Sequence, residues 1–553
     1  MPEIAFPRLT PTDLELLRPF GKPCSYEDGE TIFNAAEEAI DLFVVESGSM
    51  EILNPAQGNR SVVTHGPGQF SGDIDLLTRR PPIVNGVARG RTDLLRISSS
   101  RIREILSKLP HIGEILLAAA QERRRMLLET GAVGLTVVGP GKCRDTTLVR
   151  EFLFKNFVPF VWYDSVSEQG QRLMTSWGMP KRSPVIQFGN GKRLINPTLH
   201  DLAVTAGVWR DCPTEAVDLA IVGAGPAGIA AAVYAASEGV STVVLDRLGP
   251  GGQAAASSRI ENFIGFPNGL SGNDLATRGV LQMLKFGAKM VAPVVVDHID
   301  PAAGPDDFHT LHLDCGTKLR ARTILAATGV RWRQLEVEGA DRFESAGVHH
   351  ACTSVEATLY DNQDVAVVGA GNSAGQAAMF LSECCRTRTV HLLVRRRLGK
   401  DMSDYLVGRI NASPNIRVHE GVEVAGVHGH RRLEAVSLRA FSPKREGPAG
   451  ADDKIESLPV SAVFVFIGAE PGGAWLPDGV ARDELGYVLT GVDALKSGRW
   501  PLTNREPCPL ETTVPGILAA GDIRAGSTKR VGFAVGDGSL AVTCVHKLTA
   551  IRQ

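Results

Sequence analysis

Along roughly the first hundred residues, apolar and polar positions alternate with a period of two, as in DLFVVESGSMEIL (41–53) and SVVTHGPGQF (61–70). This alternation puts every second side chain on one face of a strand. Turn residues recur about every 8–12 positions, so an all-β jelly roll is predicted. The period then changes. From Arg101 to Glu129, RIREILSKLPHIGEILLAAAQERRRMLLE carries apolar residues at helical spacing and predicts a helix, with Arg123–Arg125 on a solvated face.

A second block runs from about Gly131 to Trp209. GLTVVG reads as a strand, TTLVREFLFKN as a helix, VPFVWYDS as a strand and SEQGQRLMTSWG as a helix. SPVIQFGNGKRLI reads as a hairpin with a Gly-Asn-Gly turn, and PTLHDLAVTAGV as a helix opened by Pro197. The order β-α-β-α-β-β-α is that of a small α/β domain. From Val217 onward, apolar strands alternate with helices and predict two doubly wound units.

Two glycine-rich turns in that last block carry the candidate chemistry. Strand Val217–Val222 runs into Gly223-Ala224-Gly225-Pro226-Ala227-Gly228, then a helix, then strand Thr242–Leu245 and Asp246. Glycine lets the backbone approach a pyrophosphate, the following helix N-terminus offers N–H donors, and Asp246 lies where a carboxylate accepts from ribose hydroxyls. The second turn, Gly369-Ala-Gly371-Asn372-Ser373-Ala374, is followed by a strand that ends in Arg395, Arg396 and Arg397 instead of an acid. Guanidinium groups bind a 2′-phosphate that a carboxylate would repel, so the first site reads as a nucleotide without a 2′-phosphate and the second as NADP, with FAD and NADPH the economical assignment. A solvated basic loop is the other reading of the arginines. Two dinucleotide sites in one chain predict that one nucleotide reduces the other.

Length and charge narrow the rest. A chain of 553 residues is too long for one core, and its formal net charge of −2 gives no field for nucleic acid or an anionic membrane. The N-terminus lacks a charged start followed by an apolar core, so a cytoplasmic protein is expected. The uncharged run Leu219–Ala236 is interrupted by Gly223, Gly225, Pro226 and Gly228, which argues against a membrane span. Nine scattered cysteines with no CxxC argue against a disulfide scaffold, and no metal-ligand spacing is present.

The final 340 residues or so resemble the low-molecular-weight thioredoxin reductases. GPGGQAAASSRIENFIGFP (249–267) is similar to that family's segments beside the flavin, with Gly251, Gly252, Gln253 and Asn262. ILAATGV (324–330) is similar to its ATG strand end, with Thr328 and Gly329. VFVFIGAEP (463–471), with Gly468, resembles the strand returning to the FAD domain. GILAAGDIRAGSTKRVGFAVGDGSLAV (516–542) resembles the closing FAD motif, in which Gly521, Asp522, Lys529, Arg530 and Val531 would lie along the flavin. The resemblance implies that the paired Arg395 and Arg396 hold the 2′-phosphate and that the NADPH domain is inserted into the FAD domain. It further implies a homodimer, and a rotation that alternately presents NADPH and the acceptor to the flavin.

One departure matters. The family carries Cys-Ala-Thr-Cys at the start of the NADPH domain, whereas HHACTSVEA (349–357) has Ala351 and Ser354 in the cysteine places, with Cys352 between them. A single thiol forms no internal disulfide. Cys352 is either a flavin-adjacent thiol or a packed one. The second block resembles a thioredoxin or glutaredoxin domain. Ser183-Pro184-Val185 matches its cis-proline segment, and Cys143 stands before a helix beside Lys142 and Arg144, a setting that favours thiolate. Cys143 is a monothiol centre, or the domain serves for docking. The first block resembles a cyclic-nucleotide-binding β-roll, with SGDIDLLTRRPPIVNGVA (71–88) as its phosphate cassette and Gly72-Asp73 as its Gly-Glu pair. Ile83 stands where an arginine is expected, and Arg79 and Arg80 come early.

The predicted organisation is a β-roll with its helix (1–129), a thioredoxin-like α/β domain (130–210), and two Rossmann-like three-layer units. These are an FAD domain in two parts (211–332 and 471–553) and an NADPH domain (333–470). The predicted activity is NADPH-dependent reduction of FAD, then of a small disulfide or a thioredoxin-like or ferredoxin-like carrier. A flavin-based redox sensor and a ferredoxin–NADP-reductase-like enzyme are the alternatives. The β-roll reads as a ligand-poor relative used for regulation or assembly, with cyclic-nucleotide binding as the alternative.

Overall fold

The computed structural model describes the chain except residues 1–2, 36, 38–39, 56–57, 131–133, 142, 180–182, 258, 305, 344–345, 351, 353, 386–387, 431, 443–454 and 553.

The first hundred residues form a five-stranded antiparallel sheet, ordered Lys22–Tyr26, Asn85–Ile97, Leu42–Asn54, Arg60–His65, with Thr31–Phe33 also on Asn85–Ile97. In strand Leu42–Asn54 the first four residues are all buried, and the period-two alternation shows in its second half, where Met50, Ile52 and Asn54 are buried. The single helix expected after it is two, Ile102–Lys108 and Pro110–Thr130. Pro110 has no N–H to give the preceding turn, so the helix restarts there.

Next comes a four-stranded sheet, ordered Phe160–Asp164, Leu135–Gly139, Val185–Gln187, Arg193–Ile195, the first pair parallel and the rest antiparallel. Helices Arg144–Lys155, Glu168–Trp177 and Leu199–Thr205 accompany it. Pro197 does not open the last of these; Thr198 is its N-cap and accepts from Asp201 N. The Ser183–Pro184 bond, expected to be cis, is not; among the described residues only Ala292–Pro293 is cis.

The largest sheet has seven strands. Lys289–Val291, Thr242–Leu245, Val217–Val222, Lys318–Ala326 and Ile517–Ala519 run parallel, and His309–Leu313 and Val296–Asp300 extend the sheet antiparallel to its edge. Strand Val217–Val222 is nearly all apolar and buried, as a central parallel strand must be. A second, all-parallel sheet is ordered Val348–His349, Ala462–Val465, Val365–Val368, Val390–Val394, Ile416–Glu420. A two-stranded link, Val330–Trp332 with Ala469–Pro471, joins the two units.

The N-terminal units are not separate beads. Ile74 and Ala120 of the β-roll unit and Phe157 of the second block lie in the same apolar cluster as Leu219, Ile221 and Leu325. Leu248 completes the core of the second block. The arginine run expected on a solvated face is largely buried: Arg123 is 7 % and Arg124 2 % exposed. Arg124 pairs with Asp73 at 2.6 Å and Asp75 at 2.5 Å and donates to Phe157 O at 2.9 Å. A buried cation needs such partners, and here they come from two other segments.

Candidate functional site

The first glycine turn is built by steric necessity. Gly223 has φ +108°, and a Cβ there would stand 2.4 Å from Ala327 O. A Cβ on Gly228 would stand 1.9 Å from Gly223 O. Gly225 differs: its φ is −75°, and a Cβ would meet nothing closer than Gly252 Cα at 3.9 Å. Gly225 is the N-cap of helix Pro226–Ser237 and contributes no side-chain cap, so the first-turn N–H groups face open space beside Ala224 and Ala227. That cradle fits a pyrophosphate. Asp246 is differently employed from expectation. Its carboxylate accepts from Ala224 N at 2.8 Å, Leu248 N at 2.9 Å and Gly249 N at 2.8 Å, so it first holds the turn together.

The second turn repeats the design. Gly369 has φ +143°, with its Cβ position 2.4 Å from Phe466 O, and Gly371 is the uncapped N-cap of helix Asn372–Cys384, with open space to 3.9 Å. Asn372 Oδ1 accepts from Ser403 N at 2.8 Å and fixes the loop beyond; Ala374 is buried and Ser373 exposed. Of the two arginines, Arg395 is partly engaged, 3.4 Å from Glu423 and 5.6 Å over the Phe441 ring. Arg396 is exposed, with no side-chain partner among the described residues.

The flavin-side segments converge on the first turn. Gly251 N donates to Ala224 O at 2.7 Å, Gln253 bonds Val330 O, and Thr328 Oγ1 donates to Gly472 O at 2.8 Å. Gly252 and Gly329 both take left-handed φ, +55° and +61°. Gly521 N donates to Asp537 at 3.0 Å, and Lys529 Nζ to Asp522 O at 2.6 Å while lying 4.1 Å over Tyr487. Burial raises the Asp522 carboxyl above its ordinary range, with Lys529 opposing. Asn262 and Arg530 are exposed, Val531 is half-buried, and Gly468 has φ +103° in open space.

A crevice joins the two units. It is lined by Gln253 and Ser257 from the first, by His350, Cys352, Ser373, Gln376 and Phe466 from the second, and by Trp332 from the link. Trp332 and Phe466 meet edge to face at 5.9 Å and 83°. Sequence reasoning passed over this pair, although Trp332 closely follows ILAATGV and Phe466 lies within VFVFIGAEP. Cys352 is 6 % exposed, and burial, with Glu356 beside it, pushes its thiol well above the ordinary value. It is a packed thiol in this structure; its neighbour Ala351 lies outside the described residues.

Cys143 is half-buried at the N-cap of helix Arg144–Lys155 and makes no side-chain cap bond. Lys142 lies outside the described residues. A Cβ on nearby Gly139 would meet Thr146 Oγ1 at 2.6 Å and Pro184 Cα at 3.0 Å, so the loop before this helix and the Ser183-Pro184 segment do come together. Arg150 of the same helix lies 4.0 Å over Trp162. Burial pulls its guanidinium down to about 10, against Glu356 of helix Ser354–Leu359.

In the β-roll, Asp73 is taken by Arg124, Arg80 Nη1 donates to Asn156 O at 2.6 Å, and Arg79 is an exposed left-handed C-cap with φ +52°.

Two uncapped helix N-termini behind glycine turns, in units that share one crevice, define a two-nucleotide oxidoreductase. The chain belongs to the pyridine nucleotide-disulphide oxidoreductase family, whose model matches residues 217–538, more than half of its length. Residues 23–108 match the cyclic nucleotide-binding domain. The chain is 29 % identical over 328 residues to a thioredoxin reductase of Ureaplasma parvum, covering 59 % of this chain and 95 % of that one. It is 30 % identical over 338 residues to a thioredoxin reductase of Mycoplasma genitalium, covering 60 % and 94 %. A solved T. acidophilum thioredoxin reductase aligns with TM-score 0.52 and 25 % identity, over 60 % of this chain and 99 % of that one. Proteins of this thioredoxin-reductase type bind FAD and use NADPH, and the chain is an FAD/NADPH oxidoreductase. Among the described residues, no helix is long and apolar enough to cross a membrane.

Proposed function

We propose that residues 211–332 and 471–553 hold FAD, that residues 333–470 hold NADPH, and that electrons leave for a disulfide or a protein carrier without an internal dithiol. Bound FAD supplies the two-electron link between NADPH and the acceptor. The chain's own residues do the rest. The N-termini of helices Pro226–Ser237 and Asn372–Cys384 receive the two pyrophosphates. Arg396 binds the 2′-phosphate, with Arg395 shared between it and Glu423. Trp332 and Phe466 keep water from the crevice where the two units meet.

The observation that carries the reading is Cys352, one buried thiol with a raised pKa and no cysteine three residues away. A thiolate is the attacking species in disulfide exchange, and this thiol is held protonated. The block at 130–210 is proposed to be thioredoxin-like, with Cys143 as its half-exposed thiol. The β-roll is proposed to serve assembly, because its cassette carboxylate Asp73 is committed to Arg124.

The test is an anaerobic NADPH titration that counts electrons taken up per FAD. About two are expected, flavin being the only centre in direct exchange. Uptake of about four, lost on Cys352→Ser, overturns the reading. Uptake of about four that survives Cys352→Ser but not Cys143→Ser would move the disulfide into the second block and leave the packed role of Cys352 intact.

A second reading, a flavin-based redox sensor, is favoured by the merging of Ile74 and Ala120 with the main flavin-unit core. Fast multiple turnover with a natural carrier would count against it.

A further inference from the structure

The outer antiparallel strands of the largest sheet carry a cluster that the reductase chemistry does not use. His298 and Asp300 lie two residues apart on the edge strand Val296–Asp300, hence on one face. His312, on His309–Leu313, is the cross-strand partner of His298. The imidazole rings stack with centroids 4.0 Å apart and 17° between planes, and His312 Nε2 lies 2.7 Å from Asp300 Oδ2. One donor atom from each residue falls within 4.8 Å of the other two.

The backbone beneath is anchored. Ile299, Leu311 and Leu313 point into the core, so the strand register is fixed and so is the face on which the three donors stand. The geometry points to a surface site for one divalent transition-metal ion held by His298, His312 and Asp300.

Two imidazoles and a carboxylate are a donor set for zinc-like ions and not for magnesium or calcium, which take oxygen. Metal–ligand bonds of about 2.0–2.2 Å put neighbouring ligand atoms roughly 3.3 Å apart in a tetrahedron. Rotation of the side chains brings the donors to that separation without moving a strand. Water fills the remaining position, since His298 and Asp300 are exposed. Two neutral imidazoles and one carboxylate leave a divalent ion with a single net positive charge. The cation nearest in register is Lys318, opposite His312 on the next strand; its exposed, flexible side chain can turn to solvent. A bound ion would tie the edge strand to its neighbour.

The test uses the full-length, FAD-loaded protein, stripped with a chelator and titrated with Co²⁺ alone. Because free thiols such as Cys315 also bind metals, Cys315→Ser is the control. The expected result is one Co²⁺ per chain with visible bands of nitrogen and oxygen ligation and no thiolate charge transfer. Affinity should fall at least tenfold in His298→Ala and in His312→Ala, and stay unchanged in Cys315→Ser. Flavin content reports that each variant is folded. Histidine variants that bind Co²⁺ as the parent does, or bands dominated by thiolate, would overturn the site.

Discussion

At the scale of single residues, the glycines of the first turn divide into two kinds, and substitution separates them. Gly228 is required by the protein itself, because a Cβ would stand 1.9 Å from Gly223 O. Gly225 has an ordinary φ and room on all protein sides, so its missing Cβ leaves space for something outside the chain. Gly228→Ala should therefore destabilise the fold by about 1–3 kcal/mol, the usual cost of forcing a methyl group into packed atoms. Gly225→Ala should leave the apoprotein's melting temperature nearly unchanged and weaken FAD binding at least tenfold. Thermal melts of the two apoproteins and flavin titrations check both, and a Gly225→Ala variant that holds FAD normally would remove the pyrophosphate from this cradle. Arg396 offers a parallel case. Exposed at the end of strand Val390–Val394, its replacement by Glu should raise KM for NADPH about tenfold or more through charge repulsion, with a smaller effect for NADH.

At the scale of elements, strands and helices with strong local signals were legible in the sequence. Val217–Val222 and Val365–Val368 are apolar runs that stop at a glycine, and the helix after each starts where the backbone must turn. The Gly-Asn-Gly hairpin closes as expected, with Phe188 N donating to Lys192 O at 2.9 Å. What the sequence did not reveal depends on partners far along the chain. The run Arg123–Arg125 has the composition of a solvated face, yet Arg124 is buried because Asp73 and Asp75 wait for it roughly 50 residues earlier. The sequence pattern points Asp246 at a ribose, whereas its three backbone donors come from turns that no spacing rule announces. The crevice pair joins Trp332 of the two-stranded link to Phe466, just past strand Ala462–Val465, and forms only once the insertion is folded. The buried ion cluster yields its own expectation. Arg124→Met leaves two neighbouring carboxylates without their direct ion-pair partner, and breaking such a pair from one side costs on the order of 3–5 kcal/mol. Adding Asp73→Asn and Asp75→Asn to that variant should recover much of the loss, which calorimetric melting temperatures of the single and triple variants would show.

At the scale of the whole molecule, the β-roll is bound to the flavin unit by core packing and not by a tether. Ile74 and Ala120 are buried in the cluster formed by Leu219, Ile221 and helix Val531–Arg552. Arg80 reaches Asn156, Asn156 donates to Leu248 O at 2.8 Å, and Arg210 donates back to Arg79 O at 2.9 Å. The cassette that binds a cyclic phosphate elsewhere in this domain type is thus the surface on which the three units interlock. If the roll were a separable module, removing residues 1–130 would leave the remainder as stable as before. The structure predicts otherwise. Each fully buried aliphatic side chain contributes about 1.5–3 kcal/mol, so losing Ile74 alone from the flavin-unit cluster is a measurable defect. Arg210 would lose its bonds to Thr78 O and Arg79 O, and the Asn156 carbonyl its bond from Arg80, at the same time. The truncated protein should melt several degrees lower and bind a hydrophobic dye that the full chain excludes. FAD content should fall as well, because helix Gly272–Lys285, against which the cassette helix Asp75–Thr78 packs, also supports the loop carrying Gly251 and Gly252. A truncation that melts at the parent temperature with full flavin content would show that the junction is only a contact and would return the β-roll to the role of an independent ligand sensor.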